Sequence, residues 1–544
     1  MTHGTFRTPS PINEPVKGYA PGSPERASLK GALERMAAET VEVPLILGGE
    51  EVRTGNTRDI VMPHAHGHVL GSFHQAGEAE VKRAIQCADD ARREWESMPW
   101  SERAAIFLRA ADLLAGPWRD TLNASTMLGQ SKTAHQAEID AACELIDFFR
   151  FNVAYAERLY GEQPESSPGM WNRLEHRPLD GFVFAVTPFN FTSIAGNLPT
   201  APALMGNTCI WKPASTSLLS NYYLMKMFEA AGLPPGVINF VPGSGATVGD
   251  PVLADGRLGG VHFTGSTPVF QGMWRTVGNN IQNYGQYPRL VGETGGKDFV
   301  FAHKSADPQA LTIGLVRGAF EFQGQKCSAA SRAYIPASLW GDVQERLTAE
   351  IAGLKMGDVR DFTNFMGAVI DASSFATQKS AIEGAKASGG AAEVLIGGEC
   401  DDSEGYFVQP TVLRCHDPRY DTMKTELFGP VLSVHVYDDD AWDEALDLCA
   451  TTSEYALTGA IFADERSAVD QATDRLRFAA GNFYVNDKPT GAVVGQQPFG
   501  GSRASGTNDK AGSILNLVRW VSPRTIKETF DPPKDWRYPF LSES

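Results

Sequence analysis

Short apolar runs alternate with helical or Gly/Pro-rich stretches through the middle of this 544-residue chain, which restricts the fold to a few architectures. The runs lie at 182–186, 208–211, 237–241 and 260–263. Apolar runs of this length, separated by helical stretches, are typical of buried parallel strands with helices as their connections. The pattern predicts a parallel α/β sheet.

The alternation resumes after Glu293 and indicates a second α/β domain. Strands are expected at 299–302, 431–436 and 482–485, and a helix at 310–322 behind Asp307 and Pro308. The segment 79–114 has helical periodicity instead, with an N-cap expected at Ser101. Its apolar face carries Ile106, Ala110, Leu113 and Leu114. The fold class is therefore α/β, with scaffold helices before the first sheet.

Composition and charge exclude several functional classes. A formal net charge of −17 argues against a nucleic-acid surface, because phosphate backbones are bound by clustered Lys and Arg. The longest uncharged run, 181–211, is interrupted by prolines and asparagines, which predicts no membrane span. Seven cysteines without a C-x-x-C pair fit free thiols in a reducing compartment. The N-terminus lacks an apolar leader, so an extended cytoplasmic arm is expected there.

Three residue types could together perform nucleophilic chemistry. Cys327 follows a predicted helix in a small turn beside Lys326, a cation that would favour the attacking thiolate. Glu293, between glycines, could act as general base, and Asn190 lies beyond the 182–186 strand, where its amide could donate to an oxyanion. Taken singly, a free cysteine is usually a small buried hydrophobe and Glu293 a turn residue. Their combination favours a catalytic site.

Successive strand ends suggest a nucleotide cleft. Lys212 ends one strand, and glycine-containing turns at 243–245 and 264–266 end the next two. The carboxyl ends of parallel strands are where α/β folds bind ligands, so Lys212 could hold ribose hydroxyls or phosphate and Ser266 could lie near a pyrophosphate. The tract His64, His66 and His68 lies in an expected surface turn, and no metal is predicted.

The joint order of these motifs resembles the aldehyde dehydrogenase superfamily over nearly the whole chain from about residue 40. The strings that carry the resemblance are Asn190, Lys212, 264–266, 293–297, 324–327 and 426–430. The strings 188–192, 325–329 and 490–492 are similar to those of members that oxidise glutamate γ-semialdehyde, formed from 1-pyrroline-5-carboxylate, in the second step of proline catabolism.

The resemblance implies roles for individual residues. It implies Cys327 as nucleophile, Glu293 as base and Asn190 as oxyanion donor. The implied cofactor contacts are Thr187, Lys212, Gly265, Ser266, Glu426 and Phe428. The implied substrate contacts are Glu144, Lys326, Ser328, Gly491, Ala492 and Phe499, with the α-carboxylate on Ser328 and the amides of Gly491 and Ala492. For Glu144 alone, a solvated helix carboxylate is the alternative reading.

The same resemblance implies the domain division, cofactor and partners. It implies an arm and the first part of a Rossmann-like cofactor domain at 1–158, an oligomerisation segment at 159–177, the NAD-binding domain at 178–293, the α/β catalytic domain at 294–495, and a return to the cofactor domain with an oligomerisation tail at 496–544. The implied cofactor is NAD. NADP is also permitted, because Ser215 lies where many NAD-preferring members carry an acidic residue that repels a 2′-phosphate. A small-molecule substrate, a homodimer or higher oligomer, and a cytoplasmic location, or the mitochondrial matrix in a eukaryote, are expected.

The expected cycle passes through a thiohemiacetal and a thioester on Cys327, and water activated by Glu293 releases the acid. A CoA-acylating semialdehyde dehydrogenase or a reductive relative such as glutamyl phosphate reductase would keep the cysteine but has little need of Glu293. A non-catalytic NAD-binding protein is the alternative from another class. Glu293 favours hydrolysis over the first two alternatives, and the intact set Cys327, Glu293 and Asn190 argues against the third.

Overall fold

The computed structural model describes residue 4 and residues 6–541, which form two large sheets, smaller ribbons and surrounding helices. In chain order the strands are β1 Val41–Val43, β2 Leu45–Leu47, β3 Glu50–Val52, β4 Thr57–Met62, β5 Ala65–His74, β6 Met170–Pro178, β7 Phe182–Val186, β8 Cys209–Lys212, β9 Ile238–Phe240, β10 Leu258–Thr264, β11 Arg289–Glu293, β12 Phe299–Ala302, β13 Arg332–Pro336, β14 Ala392–Ile396, β15 Cys400–Asp401, β16 Phe407–Val408, β17 Thr411–Cys415, β18 Val431–Tyr437, β19 Tyr455–Ala456, β20 Thr458–Phe462, β21 Asn482–Val485, β22 Ser502–Arg503 and β23 Val521–Thr529.

The helices are α1 Pro24–Ala38, α2 Glu78–Ser97, α3 Trp100–Ala115, α4 Arg119–Gln130, α5 Ala134–Ala137, α6 Leu145–Gly161, α7 Thr192–Leu204, α8 Leu218–Ala231, α9 Gly245–Ala254, α10 Thr267–Asn279, α11 Pro308–Phe320, α12 Ala337–Ala352, α13 Ala372–Lys386, α14 Asp421–Lys424, α15 Trp442–Thr452, α16 Arg466–Arg475 and α17 Ile514–Val518. A π-helical segment, Glu138–Glu144, joins α5 to α6, and a 3₁₀ turn, Glu321–Gly324, follows α11. Among the described residues, no helix is both long and apolar enough to cross a membrane.

Each large sheet has seven strands and is buried on both faces. The first has the order β11-β10-β7-β8-β9-β2-β3, and the second has the order β14-β17-β18-β13-β12-β20-β21. In β7, Phe182 and Phe184 belong to one apolar cluster while Val183 and Ala185 belong to another. Alternate residues of a strand point to opposite faces, so both faces of this sheet are covered. The predicted parallel α/β organisation of both halves is confirmed by the pairing of the central strands.

Two helix boundaries differ from the sequence expectation. The segment 79–114 forms two helices, α2 and α3, separated at Met98 and Pro99, because proline cannot continue the hydrogen bonding of the first helix. The expected N-cap at Ser101 is wrong: Pro99 occupies that position. In α11 the side chain of Asp307 accepts from Ala310 as expected, but the helix ends at Phe320 and not at residue 322.

The polar stretch before the first sheet and the C-terminal tail pair with each other. Strands β6 and β23 form an antiparallel ribbon from Val521 opposite Pro178 to Thr529 opposite Met170. Their contact with a neighbouring subunit stays a prediction. The N-terminal arm is extended from Phe6 to Ala20, as expected, and lies against α6 and the π-helical segment.

Candidate active site

Four strands of the first sheet end at one edge, and each end carries a residue that the sequence singled out. The parallel register pairs Val186 with Lys212, Phe263 with Val186, and Thr264 with Glu293. Thr187 and Gly265 directly follow their strands. The side chains of this edge therefore converge on one cleft, as expected of a parallel sheet.

The turn that carries Cys327 is held by buried glutamine side chains. Gln323, with φ of 54°, donates to the carbonyls of Ser131 and Ala368 at 3.0 and 2.7 Å, and its amide oxygen accepts from Gly367 at 3.0 Å. Gln325 accepts from the Ile370 amide at 2.9 Å. These contacts fix the turn, and Cys327 itself is buried.

Cys327 and Glu293 are in direct contact. The Cys327 Sγ donates to Glu293 Oε1 at 3.4 Å. Burial, followed by the nearby Glu293 carboxylate, holds the pKa of the Cys327 thiol well above its ordinary value. Burial also raises the pKa of the Glu293 carboxyl to about 7. Thiol and carboxyl can therefore exchange a proton within one hydrogen bond.

The sequence expectation that Lys326 stabilises the thiolate is not met. Lys326 Nζ forms an ion pair with Glu321 Oε2 at 3.1 Å, and its side chain is almost fully buried. The groups that shift the pKa of Cys327 are burial and carboxylates, which favour the thiol. The physical reason is that the lysine ammonium finds its own buried counter-ion instead of the sulfur.

Asn190 lies beside the backbone of the nucleophile turn. Its Nδ2 donates to the carbonyl of Gln325 at 3.1 Å, two residues before Cys327. An asparagine amide has two N–H groups, so the second is available for an oxygen attached to the carbon that Cys327 attacks. Asn190 is buried, where such a donor is strong.

Two residues expected to bind the cofactor occupy the neighbouring strand ends. Burial alone lowers the pKa of Lys212 to about 8, so no acidic side chain of the described residues compensates its charge. Thr187 accepts at its Oγ1 from Trp211 Nε1 at 2.9 Å, which fixes the threonine at the start of the loop. An uncompensated buried ammonium at this edge suits ribose hydroxyls or phosphate.

Gly265 and Ser266 lead into the N-terminus of α10. A Cβ at Gly265 would lie 2.7 Å from the ring of Phe263, so a larger residue would displace that ring. Ser266 caps the 13-residue helix without a side-chain hydrogen bond to it, which leaves its hydroxyl free near the helix N–H groups. Phe270 stacks on Phe263 with the ring centroids 5.3 Å apart, and its ring lies over Gly292. Its ring fills the core.

Glu426 lies in the loop between α14 and β18 and contacts the glycine turn that follows Glu293. Its Oε1 accepts from the Gly296 amide at 2.9 Å, and a Cβ at Gly295 would lie 2.0 Å from its Oε2. Burial raises the pKa of the Glu426 carboxyl to about 7. Phe428, with φ of 55°, meets Phe189 edge to face at 5.7 Å. These two residues thus lie close to the glycine turn that follows Glu293.

A cavity of about 390 Å³ opens on Cys327. It brings together all six residues that the sequence predicted to contact substrate, namely Glu144, Lys326, Ser328, Gly491, Ala492 and Phe499. Ser328 Oγ is hydrogen-bonded to Thr490 Oγ1 at 2.7 Å, and Gly491 has φ of 97°, which favours glycine. The structure joins the nucleophile to the loop 490–494 although more than 160 residues separate them.

Charges of both signs line this cavity. Glu144 accepts from Ser193 Oγ at 2.8 Å, and burial raises its pKa to about 8, so the solvated-helix reading of this residue is wrong. Asp147 is a second carboxylate, and Lys326 and Lys488 are the cations. A ligand with an ammonium and a carboxylate would find a partner for each.

The sequence reasoning missed several lining residues. Asp147 lies three residues after Glu144 and Lys488 lies three residues before Gly491, so proximity to predicted contacts could have drawn attention to them. Thr490 belongs to the quoted string 490–492 but was assigned no role. Asn13 and Glu14, from the N-terminal arm, carried no such signal.

The three histidines of the tract contact different partners. His64 Nδ1 is 3.2 Å from Ser131 Oγ, His66 Nε2 is 2.8 Å from the Asp402 carbonyl, and His68 Nε2 is 2.9 Å from the Ala37 carbonyl. Across the described chain, no group of three or more His, Cys, Asp or Glu side chains is arranged to hold a metal ion.

Comparisons with known proteins agree with this geometry. Residues 52–525 match the model of the aldehyde dehydrogenase family. The chain is 52% identical over 536 residues to the mitochondrial delta-1-pyrroline-5-carboxylate dehydrogenase of Dictyostelium discoideum, covering 98% of this chain and 96% of that protein. It is 50% identical to the human mitochondrial enzyme of the same name, covering 97% and 94%.

A solved structure is similar over almost the full length. The delta-pyrroline-5-carboxylate dehydrogenase of Mycobacterium tuberculosis bound with NAD superposes with a TM-score of 0.96 at 57% identity, covering 99% of this chain and 100% of that one. The expected fold, a Rossmann-like sheet beside an α/β catalytic sheet, is confirmed by this similarity. The chain belongs to the aldehyde dehydrogenase family.

Proposed function

We propose that this protein is a glutamate γ-semialdehyde dehydrogenase, which oxidises the semialdehyde derived from 1-pyrroline-5-carboxylate to glutamate with NAD. The observation that carries the proposal is the cavity on Cys327, whose lining contains both cations and carboxylates beside the nucleophile. Relatives about half identical over nearly the whole chain are named for this substrate. A simple aliphatic aldehyde would need neither charge.

The cofactor cleft fits a dinucleotide. The ribose and pyrophosphate groups would be held by three features of the cleft. These are the uncompensated ammonium of Lys212, the free N-terminus of α10 at Ser266, and the glycine turn that admits Glu426. When bound, NAD supplies the hydride acceptor for the oxidation. A similar solved structure contains NAD. NADP is also permitted, since Ser215 carries no charge that would repel a 2′-phosphate.

Cys327 begins the reaction by attack on the aldehyde carbon. Its thiol must lose a proton, and the Glu293 carboxylate at 3.4 Å can accept it. The carbonyl oxygen becomes an oxyanion, which the free N–H of Asn190 and a backbone amide would stabilise by about 2.7 to 4 kcal/mol per donor. The product of this step is a thiohemiacetal on Cys327.

Glu293 then serves the hydrolysis of the thioester that oxidation leaves on Cys327. With a pKa of about 7 it can take a proton from water and return it to solvent at neutral pH. Water attacks the thioester carbon, the carbon–sulfur bond breaks, and the sulfur leaves as thiolate. The acid product is glutamate.

The substrate head group would lie between the charges of the cavity. Ser328 and the amides of Gly491 and Ala492 would hold the α-carboxylate, with Lys326 nearby. Glu144 would meet the α-ammonium, whose positive charge would restore the ionised form of a carboxyl with pKa about 8. Phe499 would line the aliphatic chain.

The experiment that tests the function compares substrates. We expect NADH formation with 1-pyrroline-5-carboxylate at a kcat/KM at least tenfold above that with succinate semialdehyde or butanal, since only the first presents both head-group charges. An equal or higher kcat/KM with butanal would contradict the proposal.

We further propose a homodimer or larger homo-oligomer in which the ribbon of β6 and β23 contacts a second copy. Exposed aromatic residues on and after this ribbon support it: Trp171, Phe530, Trp536, Tyr538 and Phe540. A molar mass equal to one chain by light scattering would contradict it.

The proposed location of the protein is the cytoplasm, or the mitochondrial matrix in a eukaryotic source, since several relatives are named mitochondrial.

A further inference from the structure

The N-terminal arm is tied down along its length. Thr8 donates to Glu157 Oε2 from both its amide and its hydroxyl at 2.6 Å. At the other end, the Lys17 amide and the Tyr19 hydroxyl donate to the buried Glu138 at 2.8 and 2.7 Å. An extended segment without internal hydrogen bonds needs such partners to stay in place.

Buried charge fixes the centre of the arm. Glu14 Oε1 pairs with Arg119 Nη1 at 2.6 Å, and Glu14 Oε2 pairs with Arg150 Nη1 at 2.8 Å. The Glu14 amide donates to Asp147 Oδ1 at 2.7 Å. Arg119 and Asp147 are themselves buried, so this stretch is part of the folded core and not a loose tail.

Asn13 links two elements of the substrate cavity that are far apart in the sequence. Its Nδ2 donates to Asp147 Oδ2 of α6 and to the carbonyl of Val494, each at 2.8 Å. Its Oδ1 accepts from Gln496 Nε2 at 2.9 Å. The asparagine therefore uses both N–H groups and an acceptor to join the helix that follows Glu144 to the loop that carries Gly491.

The arm also forms part of the cavity lining. Asn13, Glu14 and Val16 share the cavity with Cys327, Glu144 and Gly491.

We propose that Asn13 is a positioning residue for substrate selection, which holds loop 490–494 against α6 so that its amides lie where an α-carboxylate can reach them. The inference rests on the proposed function, because it concerns a substrate with an amino-acid head group. Asn13 acts through the loop, while the reacting carbon stays with Cys327, Glu293 and Asn190. Loss of Asn13 should therefore affect the head group and spare the chemistry.

The test uses the full-length protein with two substitutions at Asn13. Asn13→Ala removes all three side-chain bonds. Asn13→Asp keeps the shape but loses both N–H donors and faces Asp147 with a like charge. We expect each to raise KM for glutamate γ-semialdehyde about tenfold with a smaller change in kcat, and to raise Ki for glutamate, which carries the same head group, in parallel. The kcat/KM for butanal should change less than threefold.

Thr8→Val is the matched control. It removes a hydroxyl bond of the same arm to Glu157 without touching the cavity, so both substrates should keep their wild-type constants. Melting temperatures of all variants show whether each is folded.

Two outcomes would overturn the inference. One is an Asn13 variant with unchanged KM for glutamate γ-semialdehyde and unchanged Ki for glutamate; the other is an equal fall in kcat/KM for butanal. Failure of the proposed function has a different signature, because the wild type itself would then show no preference for glutamate γ-semialdehyde over butanal.

Discussion

At the scale of single residues, Glu293 has a pKa suited to two proton transfers. Burial places that pKa at about 7, and the carboxyl contacts the Cys327 thiol at 3.4 Å. A group that titrates near the working pH can accept a proton from the thiol or from water and release it again. The same carboxyl can thus serve addition and hydrolysis in turn.

Glu293→Gln should separate these two uses. We expect steady-state turnover at pH 7 to fall by about 10²- to 10⁴-fold, because water attack loses its base. A first burst of about one NADH per site should remain but be slower than in the wild type. Raising the pH should accelerate the burst, since the buried thiol then ionises without help. Rapid-mixing absorbance at increasing pH measures this.

Full steady-state turnover of Glu293→Gln would show that another group activates water. Cys327→Ser is the companion variant, and it should lose burst and turnover while keeping NAD affinity nearly intact, because the thiol contributes little to nucleotide binding.

Ser328→Ala tests the proposed carboxylate anchor. The variant removes the hydroxyl that contacts Thr490 at 2.7 Å and would face the α-carboxylate. A lost hydrogen bond to a charged group typically costs about 1.5 to 3 kcal/mol, or roughly ten- to a hundredfold in kcat/KM for glutamate γ-semialdehyde. Kinetics with butanal serve as internal control for the adjacent Cys327. Equal losses for both substrates would mean general damage and would remove the anchor.

At the scale of elements, local patterns predicted the strands well and the long-range pairings poorly. Strands β12 and β21 have the predicted bounds, because apolar runs between turn signals depend on neighbours in sequence. The pairing of β6 with β23 joins residues more than 340 apart, and nothing in either polar stretch specifies the other.

In the candidate site, too, local motifs were predicted well and long-range contacts were not. Cys327, Glu293 and Asn190 were identified because motif strings surround them. The contacts of Asn13 with Val494 and of Lys326 with Glu321 depend on packing that no local pattern reports. The expectation for Lys326 was wrong for this reason: sequence adjacency to Cys327 does not decide where a long side chain points.

Gln323→Ala tests whether the nucleophile turn depends on its buried supports. The substitution leaves the carbonyls of Ser131 and Ala368 and the amide of Gly367 without this partner. Each unsatisfied buried group costs about 1 to 3 kcal/mol. We expect a lower Tm and a lower kcat with little change in NAD affinity, measured by calorimetry and steady-state kinetics. Gln309→Ala, an exposed glutamine of α11, is the matched control. An unchanged Tm for Gln323→Ala would refute the support role.

At the scale of the whole molecule, the site places three carboxyl groups where burial opposes their charge. Burial raises the pKa of Glu144 to about 8 and the pKa values of Glu293 and Glu426 to about 7. In the unfolded chain each would titrate near 4.5. Between these values the folded state binds more protons than the unfolded state, so the free energy of unfolding falls as pH rises. Below pH 4.5 the contribution of these groups to stability is fully present, and it is lost as the pH rises toward 7 and 8.

Glu293→Gln should therefore stabilise the protein while it disables turnover. Glutamine has the shape of the neutral carboxylic acid and cannot ionise, so the variant avoids the cost that the wild type meets above its pKa. A shift from 4.5 to about 7 corresponds to at most about 3 kcal/mol in the free energy of unfolding at pH 8, less where solvent reaches the group. We expect a higher Tm than wild type at pH 8 and nearly equal Tm values near pH 4, where the carboxyl is protonated in both the folded and the unfolded state. Glu345→Gln, an exposed position of α12, should leave Tm unchanged at both pH values. A Glu293→Gln protein less stable than wild type at pH 8 would mean that the ionised carboxylate is favourably held in the fold, and the stability cost assigned here to the catalytic base would be withdrawn.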